Sequence, residues 1–212
     1  MRGETEKVVR PHLAATLGRL AASLVSGRPH RVVVAAHGPL SDYDTRLLTV
    51  AALNGAFQGL TDQVVNVVNA PVLAAEKGIA VSEERIRASR DYTNVVEVRV
   101  GHDGAEATVS GTTIGPEGRL FLAGALGYAI DIELARHMIF LVYNDMPGVI
   151  GRVGTLCGEA GVNIANMAVS RTKEGGKALM VFSVDTRPPP ELVERLHAVG
   201  FDDARFIDLG GS

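Results

Sequence analysis

The residues from Tyr143 to Ile150 have the types and spacing to bind a small molecule that carries both a carboxylate and an ammonium group. Asp145 offers a charge-assisted partner for an ammonium group. Pro147 and Gly148 precede a predicted helix, whose first N–H groups have no partner within the helix and attract a carboxylate. The predicted ligand is therefore an α-amino acid. The candidate ligand-binding residues are Tyr143, Asp145, Pro147, Gly148, Val149, Ile150, Asn163 and Ile164.

A simpler interpretation treats Asp145–Gly148 only as a turn that starts a helix, and these four residues alone favour it. Two features further along the chain favour the ligand site instead. The predicted helix ends at Gly161, and helices commonly end with a residue in the left-handed conformation, which glycine adopts easily. Asn163 and Asn166 then follow, and the amide of Asn163 can both donate and accept a hydrogen bond.

The elements around this turn follow the order βαββαβ. Met138–Tyr143 is an apolar run of strand length, and the apolar residues from Val149 to Ala160 fall on one face of a helix. The remaining predicted elements are a strand opening at Asn163–Asn166 and continuing as Met167–Arg171, a Lys173–Gly176 hairpin, a strand at Ala178–Val184, a helix from Pro188–Pro190 to Gly200 with Leu192, Val193, Leu196 and Val199 on one face, and a strand at Phe201–Leu209.

The first half of the chain predicts a separate set of helices and strands. Leu13, Leu17, Leu20 and Leu24 form the apolar stripe of a helix that stops at Gly27. Ser41–Asp44 resembles a capping box before a helix that reaches Phe57. The other predicted elements are an Arg31–Ala36 strand, a short apolar run at Val64–Val68, a helix from Asn69–Pro71 to Gly78, a strand at Asn94–Val100, a Gly101–Gly104 turn, and strands at Ala105–Gly111, Leu120–Ala123 and Tyr128–Ile132.

Composition narrows the class of protein. The chain has 212 residues, 46% of them hydrophobic, and a net charge of −3, so no basic surface for nucleic acid or an anionic membrane is expected. No apolar stretch is long enough to cross a bilayer, and the N-terminus lacks a signal-peptide core, so a soluble cytoplasmic protein is expected. Cys157 is the single cysteine, and its place on the apolar face of a helix predicts a buried, inert thiol.

Two regions carry a family resemblance. The D-M-P-G-V-I-G turn into a helix and the G-V-N-I-A-N after it resemble the ACT domain, which binds amino acids and regulates the enzyme it is attached to. Asp42–Gly55, Val65–Ile79 and Ala107–Gly115 resemble the intervening, or allosteric substrate-binding, domain of long-form D-3-phosphoglycerate dehydrogenase. The sharpest of these motifs is V-N-A-P-V-L-A-A-E-K-G. The resemblance implies an α+β fold, with an intervening domain over residues 1–134 and a ferredoxin-like ACT domain over 135–212.

The resemblance also implies a function. In that family L-serine binds between two side-by-side ACT domains and inhibits the dehydrogenase by feedback. The resemblance implies that Tyr143 and Asp145 of one chain and Asn163 of the other contact the ligand. A dimer or tetramer is expected, because a single ACT sheet exposes one face and one edge. The expected partners are L-serine and dehydrogenase catalytic domains that bind NAD. This chain lacks a G-x-G-x-x-G motif, so no cofactor and no catalytic residue are assigned to it.

Three questions stay open at this stage. Some family members bind phosphorylated substrate at a second site, for which Arg119, Arg136 and His137 are the basic candidates here, although an ordinary solvated charge is the favoured interpretation of each. The six histidines show no metal-ligand spacing, so no metal is assigned. Finally, a free-standing amino-acid sensor and the regulatory part of a serine dehydratase are alternatives to the dehydrogenase.

Overall fold

The computed structural model describes residues 11–58, 65–66, 68–89, 91–172, 176–201 and 203–210. The chain divides into two compact units, Met1–Gly127 and Tyr128–Ser212. The boundary predicted after residue 134 lies one short strand further along the chain. The predicted α+β class is confirmed, since helices and two separate sheets are present.

The first unit combines three helices with most of a six-stranded sheet. Its elements are α1 (Pro11–Leu24), β1 (Arg31–His37), a short 3-10 helix (Gly38–Asp42), α2 (Arg46–Ala56), α3 (Ala70–Glu76), β2 (Ala80–Ile86), β3 (Val95–His102), β4 (Ala105–Ile114) and β5 (Arg119–Ala125). The sheet order is β2-β1-β3-β4-β5-β6, where β6 is Tyr128–Glu133. β1 pairs in parallel with β2 and antiparallel with β3.

The apolar stripe of α1 forms the core of this unit, as predicted. Leu13, Leu17 and Leu20 are at most 1% exposed. The strands contribute alternate residues to the same core, and in β3 these are Val96, Val98 and Val100. Burial of each such side chain contributes about 1.5–3 kcal/mol to the free energy of unfolding.

Three predictions for the first unit need correction or fall outside the structure. The capping box is wrong, because Ser41 lies in the 3-10 helix and donates its hydroxyl hydrogen bond to Gly38 O, and α2 begins only at Arg46. The strand β2 was not predicted, because four of its seven residues are polar and most are exposed at the sheet edge. The Val64–Val68 run includes residues 64 and 67, which lie outside the described residues.

The second unit has the predicted βαββαβ order after β6. Its elements are β7 (His137–Asn144), α4 (Val149–Glu159), β8 (Ile164–Arg171), β9 (Lys177–Val184), α5 (Pro190–Ala198) and β10 (Arg205–Asp208). The antiparallel sheet has the order β10-β7-β9-β8. The buried side chains of α4 and α5 pack in one core with Ile139, Leu141 and Phe182 of the sheet.

The sheet of the second unit differs from the prediction on its other face. Met138, Phe140, Leu179 and Val181 alternate with the helix-facing residues and are at most 1% exposed. The expectation that one whole face is exposed is therefore wrong. The terminal strand β8 has exposed residues along it, which include Val169 at 42%.

Smaller differences concern the end of the chain. The last strand is four residues long and begins only at Arg205, after the Ala204 N–H has donated to Phe201 O at 2.9 Å. Val199, predicted on the apolar face of the last helix, follows α5 and is 37% exposed. The predicted hairpin turn at Lys173–Gly176 includes residues 173–175, which lie outside the described residues. In the described part of the chain, no helix is long and apolar enough to cross a membrane.

Candidate functional site

The turn between β7 and α4 presents backbone N–H groups without a side-chain cap. Gly148 occupies the N-cap position with φ +86°, a left-handed conformation that glycine adopts at no steric cost, and no described side chain caps the helix. Val149 is buried beneath the turn, whereas Pro147, Gly148 and Ile150 are exposed. Since the first N–H groups of a helix lack partners within it, this turn can bind a carboxylate.

Asp145 is tied to the end of β8. Its Oδ2 accepts a hydrogen bond from Arg171 Nη1 at 3.0 Å, and its N–H donates to Gly176 O at 2.8 Å. The side chain of Asp145 is 22% exposed and that of Arg171 is 57% exposed. Arg171 was not a predicted site residue. The antiparallel pairing of β8 with β9 and of β9 with β7 brings it beside Asp145, and a sequence pattern does not reveal that register.

Tyr143 faces the helices and lines a small cavity. Its ring meets that of Phe201 edge-on, with centroids 5.8 Å apart. Burial, followed by the charge of Asp145, raises the pKa of the Tyr143 phenol, so the hydroxyl stays protonated and can donate a hydrogen bond. The cavity is about 150 Å³ and is lined by Tyr143, Asn144, Met146, Val149, Arg152, Val199, Gly200 and Phe201.

Asn163 lies at the beginning of β8 and is paired with Asp185. Its Nδ2 donates to Asp185 Oδ2 at 2.7 Å, and its main-chain oxygen accepts the Asp185 N–H at 3.4 Å. Ile164, the next residue, opens β8 opposite Val184 of β9 and is half-buried. Asp185 is the second polar group that the sequence analysis missed. It lies beside Asn163 only because β8 pairs with β9, and the sequence does not reveal that pairing.

Asp145 and Asn163 stand at opposite ends of β8 within one chain. Asp145 is bonded to Arg171, the last residue of the strand, and Asn163 precedes Ile164, the first. β8 has eight residues. At about 3.3 Å per residue it spans roughly 23 Å, far more than an amino acid can bridge. The structure therefore does not assemble the predicted residues into one site within a single chain.

The basic candidates for an anion site fall into two places. Arg136 and His137 both face Asp208, with Nε–Oδ1 and Nε2–Oδ2 distances of 3.4 and 3.8 Å, and Arg187 joins them at 3.6 Å. Burial opposes ionisation of Asp208, but the Gly210 N–H and Arg136 outweigh it and hold the Asp208 pKa below its usual range. Arg119 lies in the first unit, where its guanidinium sits over the Phe121 ring.

Cys157 is buried, as predicted, at 1% exposure on the core side of α4. Burial raises the pKa of its thiol, which lowers the fraction of reactive thiolate. The position therefore suits a structural residue rather than a nucleophile.

Comparison with known proteins gives two family matches that together cover most of the chain. Residues 9–122 match the D-3-phosphoglycerate dehydrogenase intervening domain, and residues 137–201 match the ACT domain. Both resemblances predicted from sequence motifs are confirmed.

The similar curated proteins are named D-3-phosphoglycerate dehydrogenase. The protein from Archaeoglobus fulgidus is 35% identical over 200 residues, which are 93% of this chain and 38% of that protein. The protein from Bacillus subtilis is 32% identical over 204 residues, which are 95% of this chain and 39% of that protein. The protein from Mycobacterium tuberculosis is 35% identical over 181 residues, which are 85% of this chain and 34% of that protein. The chain thus spans little more than a third of the length of these relatives.

Proposed function

The chain belongs to the D-3-phosphoglycerate dehydrogenase intervening-domain family and also carries an ACT domain, and from that premise we propose that it is a regulatory module that binds L-serine where two copies meet. Binding there would report the level of L-serine to dehydrogenase catalytic domains that use NAD, and so inhibit by feedback. The observation that carries this proposal is the placement of Asp145 and Asn163 at opposite ends of β8, the terminal strand of its sheet.

An antiparallel pairing of β8 with the β8 of a second copy supplies the missing contacts. In such a two-fold arrangement, the beginning of one strand lies against the end of the other. Asn163 of one chain then lies beside Arg171 of the partner subunit. Within the partner subunit, Arg171 donates a hydrogen bond to the partner's Asp145. The two-fold axis generates two equivalent sites, one at each end of the paired strands.

The terminal position of β8 in its sheet supports this mode of pairing. β8 is the terminal strand of its sheet, and its residues are half-buried or exposed throughout. An unpaired strand edge offers N–H and C=O groups to another strand, and an exposed Val169 adds an apolar contact. The other face of the sheet is already buried, so the edge is the part of this sheet that a second copy can use.

The polar groups at each combined site suit an amino acid. The ammonium group fits Asp145, and the carboxylate fits the uncapped N-terminus of α4 or Arg171. The side-chain hydroxyl of L-serine then has Asn163 as a partner that can donate and accept. A glycine or L-alanine ligand lacks this hydroxyl and cannot form that hydrogen bond, which disfavours both.

The family match supports the dehydrogenase over the serine dehydratase as the regulated enzyme, because it includes the intervening domain as well as the ACT domain. A free-standing sensor would use the same amino-acid site with a different partner. The catalytic domains and their NAD would lie outside this chain, and oxidation of 3-phosphoglycerate by the purified chain is not expected.

Calorimetric titration with L-serine, glycine, L-alanine and phosphoserine tests the ligand. We expect L-serine to bind best, and Asp145→Asn and Asn163→Ala each to weaken it by about 1.5–3 kcal/mol, or roughly 10- to 150-fold. Asp42→Asn is the matched control, since Asp42 is an exposed aspartate that also pairs with an arginine, Arg87 at 3.6 Å. Unchanged affinity in both site variants would refute the assignment.

Mixing the two variants tests whether the site is shared between chains. A mixed dimer of Asp145→Asn and Asn163→Ala chains contains one site built entirely from unmutated residues. After subunit exchange, half of the dimers are mixed, so about a quarter of the wild-type number of sites should regain full affinity. If mixing restores nothing, the ligand sits within one chain, for instance in the cavity beside Tyr143 and Phe201.

A further inference from the structure

We propose that His30, His102 and Asp103 form a binding site for a divalent transition-metal ion, with Zn²⁺ as the best-suited ion. The ligand atoms of these three side chains all lie within 4.8 Å of one another. His30 precedes β1, His102 is the last residue of β3, and Asp103 follows it in the hairpin turn that leads into β4. Two imidazoles and one carboxylate are a ligand set that zinc sites use.

Hydrogen bonding at His102 leaves its other ring nitrogen available to bind a metal. Nδ1 of His102 faces the main-chain oxygen of Arg28, which can only accept, so Nδ1 carries the proton. In the neutral ring Nε2 then has a lone pair, and it lies 3.3 Å from Asp103 Oδ2. Metal-ligating histidines commonly use their second nitrogen in this way, donating to a carbonyl that fixes the tautomer and the ring orientation.

One of the ligand separations matches that expected around a shared ion. Zinc bonds of about 2.0–2.2 Å at tetrahedral angles separate neighbouring ligand atoms by about 3.3–3.5 Å. The observed Nε2–Oδ2 separation of 3.3 Å already has this value. The rings of His30 and His102 have centroids 6.3 Å apart and are tilted by 53°, so they share this space without stacking.

The backbone around the ring holds it in place. Gly27 has φ +101°, and a Cβ built there would lie 2.2 Å from Nε2 of His102, so any larger residue would displace the ring. Asp103 has φ +44° and sits in a two-residue turn with Gly104 at φ +84°. A bound ion would therefore link the loop before β1 to the β3–β4 hairpin, and pattern reading missed it because the two histidines are distant in sequence.

An ion pair between a protonated His102 and Asp103 is the competing explanation, and it does not involve His30. The test is titration of the untagged chain with Zn²⁺ alone, followed by calorimetry. We expect one Zn²⁺ per chain, and at least tenfold weaker binding in both His30→Gln and Asp103→Asn. Asparagine tolerates the left-handed region, so the second variant keeps the turn even if the first perturbs the loop.

His12→Gln is the control, because His12 is an exposed histidine on α1 and outside this cluster. It should bind Zn²⁺ with wild-type affinity. The proposal is overturned if the wild-type chain takes up no stoichiometric Zn²⁺, if His30→Gln and Asp103→Asn bind it as tightly as wild type, or if His12→Gln loses it to the same extent. A circular dichroism spectrum of each variant confirms that it is folded.

Discussion

At the scale of single residues, the polar side chains proposed to bind the ligand already have partners in the chain. Asp145 accepts a hydrogen bond from Arg171, and Asn163 donates one to Asp185. An amino-acid ligand must therefore share or exchange these bonds, and the net gain in free energy is smaller than the sum of its contacts. Sequence patterns predicted Asp145 and Asn163 from their positions beside the helix, but not Arg171 and Asp185, because partners across a sheet depend on strand register.

Asp208 provides a residue-scale prediction for stability in acid. Its folded-state pKa is held below the usual carboxyl range by the Gly210 N–H and Arg136, against the opposing effect of burial. A lowered folded-state pKa contributes stability that is present above the unfolded pKa and is lost as pH falls through the folded one. We expect Asp208→Asn to lower the melting temperature at neutral pH and to show a smaller further drop on acidification than wild type.

Melting curves between about pH 6 and about pH 3 provide the measurement for Asp208. Asp42→Asn serves as the control for loss of one carboxylate, because Asp42 is exposed and 3.6 Å from its partner Arg87. An acid-induced drop as large in Asp208→Asn as in wild type would show that this carboxylate has no part in the pH dependence.

At the scale of elements, apolar periodicity predicted the helices and the buried strands well. The leucine stripe of α1 and the apolar runs of β7 and β9 were all recovered, because each buries a regular set of side chains. The misses have local causes. Polar and apolar residues do not alternate regularly in β2, because it is an exposed edge strand. The predicted helix cap at Ser41 is wrong because the chain forms a 3-10 helix there first.

The crossing of α1 and α2 depends on two glycines, which gives an element-scale prediction. A Cβ built on Gly18 would lie 2.0 Å from Ala52 O, and one built on Gly55 would lie 1.9 Å from Ala15 O. Both clashes are with backbone, so the helices would have to separate. Although alanine favours helix over glycine, we expect Gly18→Ala to destabilise the fold by about 1–3 kcal/mol or more.

Gly151→Ala is the matched control for the helix crossing, because Gly151 lies within α4 and no atom stands within 4 Å of its built Cβ. There we expect stabilisation by about 0.5–1 kcal/mol from helix propensity alone. Urea denaturation measures the change in the free energy of unfolding for both variants. Equal and favourable changes in the two variants would show that close backbone packing does not hold α1 against α2.

At the scale of the whole molecule, the chain consists of the two domain types of its family and covers about 34–39% of the relatives described above. The order and type of both domains could be predicted from motifs of about ten to fifteen residues, because those motifs encode turns and helix starts with defined backbone geometry. The sharing of the proposed ligand site between two chains was implied by the family resemblance and not by residue patterns, because its proposed halves lie at the two ends of β8 within one chain.

Pairing of two copies along β8 should be coupled to ligand binding. A ligand that binds only the paired state stabilises it by RT ln(1 + [L]/Kd), about 2.7 kcal/mol per site at a hundredfold excess over Kd. We therefore expect L-serine to lower the dimer dissociation constant, as measured by analytical ultracentrifugation with and without ligand. By linkage, dimerisation must strengthen L-serine binding by the same free energy by which L-serine strengthens dimerisation.

Val169→Lys tests that linkage, because Val169 is 42% exposed on β8 and a lysine on an edge strand opposes pairing with another strand. We expect it to raise the dimer dissociation constant and to reduce the apparent affinity for L-serine, although Val169 is not one of the proposed ligand-binding residues. Val72→Lys, which changes a valine that is 56% exposed on α3, should alter neither quantity. If L-serine raises the melting temperature of the wild-type chain but leaves dimer dissociation unchanged, the ligand contacts come from one chain and the shared site is wrong.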